Sequence, residues 1–238
     1  MDNRAALDRE LLFLRDMGFT HVDVAGRLPL AASRESVSGE MQAASGEPND
    51  LLAELEQIVT ACEKCRLSTT RTQVVYGVGN PNADLMFIGE APGRDEDVQG
   101  KPFVGRAGQL LTDIIKAMQL TRDDVYIANV IKCRPPENRN PEPDELEQCR
   151  PYIRRQIELI QPKVIVTLGR FALQSLTEKA YAISSARGQW LDWNGIKVMP
   201  TYHPAYLLRN PAAKKEVWAD MKQVMAELGI EIGNLSGR

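Results

Sequence analysis

Four cysteines carry the clearest chemical pattern in this 238-residue chain. Cys62 and Cys65 form a C-x2-C pair, and Cys133 and Cys149 follow 68 and 16 positions later. Disulfides are disfavoured in a cytosolic protein, so four thiols with one such pair indicate a metal or cluster site. Zinc and a 4Fe–4S cluster both accept four thiolates, and spacing alone does not separate them. Four unrelated buried thiols are the structural alternative, which the pair and the Pro/Arg-rich surroundings disfavour.

A glycine-rich acidic loop is the second chemical feature. Residues 89–108 read GEAPGRDEDVQGKPFVGRAG, directly after an apolar run. The loop is neither a P-loop nor a dinucleotide fingerprint, because no GK[ST] follows its glycines and they do not fit G-x-G-x-x-G. Glu90 could orient or activate water, and Phe103 could stack on a planar ring. The structural alternatives are a capping or salt-bridging acid and a core aromatic.

Two polar side chains farther along the chain also have the chemistry of a site. Asn129 presents a donor and an acceptor on one planar amide, which is the geometry that reads a base edge. His203 stands between a predicted strand and a proline, where an imidazole could donate to an oxyanion. The only other histidine is His21, so a multi-histidine metal site is excluded.

The segment after His203 combines apolar and basic residues. Leu207, Leu208 and Arg209 lie on a predicted loop, and apolar wedges beside cations are used to separate stacked bases. Two leucines at the start of a helix would look the same. Residues 57–238 carry a net charge of +3, which is compatible with a polyanionic partner but weakly informative.

The elements that must position these residues alternate between strand and helix from residue 50 onward. Apolar runs predict strands over residues 84–89, 124–131 and 163–169, and residues 195–204 are predicted to be a strand that runs into a loop, with amphipathic helices between the strands. This alternation predicts an α/β fold with a parallel sheet covered on both faces. Ligands of such sheets lie outside the carboxyl ends of the strands, so we expect the acidic loop, Asn129 and His203 to meet in one crevice.

The N-terminal part of the chain has a different character. Residues 1–49 are predicted to form a helix over residues 4–17 and a flexible acidic linker, and residues 50–238 form the main domain. The sequence shows neither a run of 18 apolar residues nor a signal peptide, so we expect a cytoplasmic protein without membrane contact.

Three long motifs, taken together, resemble one known family. GEAPGRDED with GKPFVGRAG, NVIKCRPPENRNPEPDELEQC and HPAYLLRNP occur in this order after the C-x2-C pair. They resemble the family 4 uracil-DNA glycosylases, the iron–sulfur branch of that superfamily, over about residues 50–228. The resemblance implies a three-layer α/β/α sandwich and a monofunctional enzyme that flips uracil out of DNA and hydrolyses its N-glycosidic bond, which leaves an abasic site. It implies uracil-containing DNA, single- or double-stranded, as the partner, and we expect a monomer.

The resemblance also assigns a role to each matching residue. Glu90 would handle water beside the sugar, and His203 would donate to uracil O2. Phe103 would stack on uracil and Asn129 would read it, while Glu96 would crowd the C5 edge and exclude a thymine methyl. The remaining assignments are the substrate-binding Ala91, Pro92 and Gly93, the DNA-entering Leu207, Leu208 and Arg209, and the 4Fe–4S ligands Cys62, Cys65, Cys133 and Cys149.

Two other classes of function remain open at this point: a non-catalytic DNA-binding module with a metal-stapled loop, and a cluster-based redox or sensing protein. Only the enzyme needs Glu90, Phe103, Asn129 and His203 in one crevice. A relative that stays covalently attached through a histidine on an inserted loop is disfavoured, because no histidine lies between Asn129 and His203. Hypoxanthine and broader-specificity branches stay open, because pocket shape sets the base.

Overall fold

The computed structural model describes residues 48–231, and the structural statements below refer to that part of the chain. The helix predicted over residues 4–17 and almost all of the predicted linker lie outside it. The division of the chain between residues 49 and 50 therefore stays a prediction. No helix within the described part is long and apolar enough to cross a bilayer.

A six-stranded sheet forms the centre of the described residues. Its strands are β1 (Val78–Gly79), β2 (Leu85–Gly89), β3 (Tyr126–Asn129), β4 (Val164–Leu168), β5 (Leu191–Trp193) and β6 (Ile196–Thr201). Their spatial order is β1-β3-β2-β4-β6-β5, and the four inner strands are parallel. This parallel centre confirms the predicted α/β class.

Both edges of the sheet are antiparallel, which the sequence analysis did not predict. β1 has only two residues and therefore no apolar run to reveal it. β5 and β6 form a hairpin around Asn194 and Gly195, whose φ angles are +52° and +84°. Asn-Gly is the preferred pair for a two-residue hairpin turn, because both positions need positive φ. The signal for this hairpin was thus present in the sequence.

Eight α-helices accompany the sheet in the described residues. They are α1 (Pro48–Thr60), α2 (Arg94–Gln99), α3 (Arg106–Ala117), α4 (Pro143–Ile160), α5 (Arg170–Thr177), α6 (Ile183–Ala186), α7 (Pro204–Arg209) and α8 (Lys214–Glu227). α1 carries Asp50 in its first turn, where negative charge is favoured by the helix dipole. α7 replaces the predicted loop after His203, because Pro204 is well suited to the first position of a helix.

The sheet is covered on both faces, as the fully buried strands β2 and β4 require. One face joins Phe87 and Val166 to apolar side chains of α3, α7 and α8 in a single hydrophobic cluster. On the other face α5 packs against β4 and α4, and α4 packs against α1. The described domain is thus a three-layer α/β/α sandwich.

The acidic loop after β2 owes its composition to helix α2. Asp95, Glu96 and Asp97 occupy the first turn of this helix, where the backbone N–H groups and the helix dipole favour negative charge. Gly93 is the N-cap, and the Glu96 carboxylate accepts its N–H at 3.1 Å, which completes a capping box. These three acidic residues therefore have a structural role, because they stabilise the start of α2.

Candidate active site

The carboxyl ends of the parallel strands bring the predicted site residues to one edge of the sheet. Gly89 ends β2 and pairs in register with Asn129, the last residue of β3. Glu90 directly follows this pair, and His203 is the N-cap of α7, two residues after the end of β6. All four principal side chains, Glu90, Phe103, Asn129 and His203, line one cavity of about 500 Å³. Ala91, Pro92, Gly93, Glu96 and Arg209 line it as well.

Asn129 presents an unsatisfied acceptor in this cavity. The residue is only 2% exposed, and its Oδ1 atom has no hydrogen-bond partner among the described residues. A buried acceptor without a partner costs about 1–3 kcal/mol, so a ligand N–H placed here would be favoured. Gly89 permits the arrangement, because a Cβ at that position would lie 2.3 Å from this oxygen and 2.5 Å from Cζ of Phe103.

Phe103 is held in a conformation that non-glycine residues seldom adopt. Its φ is +53°, its side chain is 6% exposed, and its ring centroid lies 5.7 Å from that of His203. Arg122 supports the segment from behind, donating to the carbonyl oxygens of Pro102 at 2.8 Å and Phe103 at 3.2 Å. The third contact of its guanidinium is Thr112 Oγ1, also at 3.2 Å. The aromatic ring is thereby fixed as one wall of the cavity.

Glu96 holds the same loop from the other side. Its Oε1 atom accepts the N–H groups of Val104 and Gly105, both at 2.9 Å, while Oε2 caps α2. The carboxylate therefore connects the start of α2 to the segment that follows Phe103. The exclusion of a thymine methyl by Glu96 stays a prediction, and the structure adds this bracing role to it.

The imidazole of His203 has a defined tautomer. As N-cap of α7 it accepts the N–H of Ala205 at Nδ1, at 3.1 Å, so the proton of the neutral ring resides on Nε2. Burial lowers the pKa of His203 to about 4, with a smaller contribution from the positive charge of Arg209. At neutral pH the side chain is an uncharged donor, suited to an oxygen on which negative charge develops.

The carboxyl group of Glu90 lines the cavity and has a pKa above its ordinary value. Burial raises the pKa of Glu90 to about 7, and the charge of Arg170 opposes this shift. The carboxylate is therefore half formed near neutral pH and can accept a proton from water. Desolvation thus shifts the pKa values of Glu90 and His203 in opposite directions. The cavity therefore contains a carboxylate that can act as a base and an imidazole that stays a neutral donor.

Comparison with known proteins agrees with this geometry. The family model described as Uracil DNA glycosylase superfamily matches residues 76–222. A type-4 uracil-DNA glycosylase of Sulfurisphaera tokodaii is 47% identical over 184 residues, which cover 74% of this chain and 84% of the relative. Those of Archaeoglobus fulgidus and Thermotoga maritima are 46% and 48% identical over 181 and 163 residues, covering 73% and 68% of this chain and 91% and 85% of the relatives. The chain belongs to the type-4 uracil-DNA glycosylases.

The four cysteines of this type-4 family member lie around a second, smaller cavity. Cys133 and Cys149 are buried, Cys62 and Cys65 are half-buried, and all four line the same space. Arg71 donates to Sγ of Cys133, and the backbone N–H of Lys132 donates to Sγ of Cys149, both at 3.3 Å. No three His, Cys, Asp or Glu side chains of residues 48–231 converge as the ligands of a single metal ion would.

One residue assigned to DNA entry needs correction. Leu207 is 1% exposed and belongs to the hydrophobic cluster under the sheet, so in this structure it anchors α7 and does not face DNA. A helix turns successive side chains by about 100°, which separates Leu207 from its neighbours. Tyr206 and Leu208 are each 38% exposed and occupy the outward side.

Several residues that line the candidate catalytic cavity of this type-4 family member were not predicted from the sequence. Pro135, Asn138 and Arg139 reach it from the segment between the last two cysteines, and Tyr206 reaches it from α7. Reading HPAYLLRNP as a helix would have revealed Tyr206, because it then shares a face with Arg209 three residues later. The other three residues lie within the motif NVIKCRPPENRNPEPDELEQC, but local sequence does not indicate that they turn toward the cavity.

Proposed function

We propose that this protein excises uracil from DNA by hydrolysing the N-glycosidic bond, which leaves an abasic site for repair. The observation that carries the proposal is the unpartnered, buried Oδ1 atom of Asn129, which shares one cavity with Phe103 and His203. A single pyrimidine can satisfy the acceptor, stack on the ring and receive the imidazole N–H. All these groups come from one chain, so a monomer suffices.

Base recognition follows from the amide of Asn129. Uracil carries a hydrogen on N3 and an acceptor at O4, so Oδ1 accepts from N3 and the amide nitrogen donates to O4. Cytosine has no hydrogen on N3 and a donor at position 4, which opposes both bonds. A buried amide that is left without its hydrogen bonds disfavours cytosine strongly relative to uracil, because water does not replace the missing bonds.

Bond cleavage builds positive charge on the sugar and negative charge on the departing uracil. Nε2–H of His203 stabilises the anion at uracil O2, and a donor of this kind typically contributes about 3–4 kcal/mol to the transition state. Glu90 in its ionised form stabilises the positive charge on the sugar and accepts a proton from the attacking water. Extrusion of the base costs a few kcal/mol and is easiest for mismatched or single-stranded uracil.

The cysteine cavity is proposed to hold a 4Fe–4S cluster. The four cysteines line one space, and four thiolates are the ligand set of such a cluster. When bound, the group supplies a structural link, joining the segment after α1 to the segment between Cys133 and Cys149. No step of the reaction passes through it.

The direct test is base release from an oligonucleotide with one uracil, followed by alkali to cleave at the abasic site. Purified protein should produce the break with uracil and leave thymine and cytosine intact; a hypoxanthine substrate measures how broad the specificity is. Binding without strand cleavage by folded, iron-containing protein would support a non-catalytic module instead. An Asn129→Asp variant supplies the specificity control, since it loses the amide donor and should discriminate less between uracil and cytosine.

A further inference from the structure

The mouth of the catalytic cavity contains an exposed aromatic side chain that the proposed reaction leaves unused. Tyr206 lines the cavity, yet 38% of it is exposed to solvent. Phe103, which serves the extruded base, is almost completely buried. Tyr206 therefore stands where a second, less enclosed planar group can contact it.

Tyr206 is supported from beneath by a second tyrosine. Its ring centroid lies 4.9 Å from that of Tyr202, with the planes tilted by 38°. The guanidinium of Arg187 lies 5.7 Å from the Tyr202 ring centroid. Arg187, Tyr202 and Tyr206 thus lie in a row that ends at the mouth of the cavity.

The lower end of this stack is fixed to the core by a buried acid. Asp220 is 0% exposed and accepts two hydrogen bonds from Arg187 and one, at 2.6 Å, from Thr201 Oγ1. Arg187 also donates to the carbonyl oxygen of Glu216 at 2.8 Å. An exposed aromatic ring held in this way loses little side-chain entropy when a ligand stacks on it.

A cation lies on the same side of the helix. Arg209 follows Tyr206 by three residues on α7, so the two side chains are neighbours, and both line the cavity. Arg209 forms no ion pair with an acidic side chain of the described residues and is free to meet a phosphate. An aromatic face beside a basic group is the arrangement by which proteins hold single nucleotides of a strand.

We propose that Tyr206 and Arg209 form a second nucleotide site, in which Tyr206 stacks on the base adjacent to the extruded uracil and Arg209 contacts its phosphate. The inference rests on the proposed function and adds to it a neighbouring-base contact outside the cavity. The site recognises any base face, so it supplies affinity and holds the strand without reading sequence.

The test compares Tyr206→Ala and Tyr206→Phe with Val78→Ala, an edge-strand control of nearly equal exposure, 36%. Uracil release is measured at steady state and in single turnover at saturating DNA. Tyr206→Ala should raise KM by about tenfold or more, with the single-turnover rate within about twofold, and Tyr206→Phe should restore KM. Tyr206→Leu, which keeps bulk without an aromatic face, should behave like the alanine variant and covers the case in which alanine disturbs α7.

A second experiment measures the stacking directly by fluorescence. An oligonucleotide carries 2-aminopurine beside 2′-fluoro-deoxyuridine, whose electron-withdrawing fluorine slows cleavage. Wild type and Tyr206→Phe should quench the fluorescence on binding, whereas Tyr206→Ala and Tyr206→Leu should not. Equal KM values and equal quenching in all four proteins would overturn the second site. Absence of uracil release by wild type would instead refute the proposed function, so the two failures are distinguishable.

Discussion

At the scale of single residues, Glu90 and His203 differ in how burial changes their protonation. Desolvation disfavours charge on both Glu90 and His203, which raises the pKa of the acid to about 7 and lowers that of the imidazole to about 4. Between pH 5 and 9 the histidine therefore keeps one form, while the glutamate changes from acid to base. The two groups can be told apart experimentally for this reason.

Removing the imidazole should slow bond cleavage without abolishing DNA binding. For His203→Ala we expect the single-turnover rate of uracil release to fall by about 100- to 1,000-fold, the usual effect of losing one donor to a developing anion. The dissociation constant for uracil-containing DNA, measured by fluorescence anisotropy, should change little. An unchanged single-turnover rate would remove the assigned role.

The pH profile should report Glu90 alone. We expect the single-turnover rate to rise with pH through an apparent pKa near 7 and then to level off, because the carboxylate form is the base. A raised pKa also means that the folded state binds more protons than the unfolded state between pH 4.5 and 7, so Glu90 lowers stability as pH rises through this window. Glu90→Gln should accordingly flatten the profile, reduce activity and raise the melting temperature at pH 8. A profile unchanged by this substitution would contradict the assignment.

At the scale of elements, the loop between α2 and α3 depends on two charged braces. Glu96 accepts the N–H groups that follow Phe103, and Arg122 donates to the carbonyl oxygens of Pro102 and Phe103. A left-handed non-glycine residue costs of order 1–3 kcal/mol and persists only where its surroundings fix it. The ring that is proposed to stack on uracil is thus positioned by residues that need not touch uracil.

Arg122→Ala should weaken uracil binding through this loop. We expect inhibition by free uracil to weaken by about tenfold, because the freed Phe103 leaves its strained conformation and no longer presents a fixed face. Arg122→Lys should recover part of the effect. Arg154→Ala, which removes an arginine paired with Glu178, serves as control and should leave uracil inhibition unaltered. Equal inhibition constants for the Arg122 and Arg154 variants would show that the loop holds Phe103 without this brace.

At the scale of the whole domain, a buried carboxylate joins the cysteine site to the catalytic cavity. Glu145 is 0% exposed and lies one helical turn before Cys149 on α4. It accepts from Arg66, which follows Cys65, at 3.0 Å and from Arg139, which lines the catalytic cavity, at 2.6 and 2.9 Å. The arginines lower the pKa of Glu145 to about 2. Glu145 thus connects Arg66, which is next to the cysteine site, with Arg139 in the wall of the catalytic cavity.

Loss of the proposed 4Fe–4S cluster should therefore affect both stability and substrate binding. Purified protein is expected to be brown from thiolate–iron absorption, and Cys149→Ser should be colourless, with a lower melting temperature and a higher KM for uracil-containing DNA. Iron content, visible absorption and thermal unfolding measure the first effects independently of activity. Colourless, active wild-type protein that contains zinc would contradict the proposed cluster.

Much of this protein is determined by local sequence. Alternating apolar runs and amphipathic segments predicted the parallel α/β class, because strands buried on both faces need continuous apolar residues. Glu90, Phe103, Asn129 and His203 could be singled out because each has suitable chemistry and lies in a motif that resembles the uracil-DNA glycosylases. The C-x2-C pair pointed to the cysteine site for a similar reason, since ligand spacing is local.

Tertiary structure decided what depends on which face a side chain occupies and what lies opposite it. Leu207 and Tyr206 are neighbours in sequence, but the packing of α7 buries the first and exposes the second at the cavity mouth. The unsatisfied oxygen of Asn129, the tautomer of His203 and the bracing of Phe103 by Arg122 each depend on contacts between segments. Such contacts, and the desolvation that shifts Glu90 and His203 in opposite directions, arise only once the chain is folded, because they need groups distant in sequence to exclude water together.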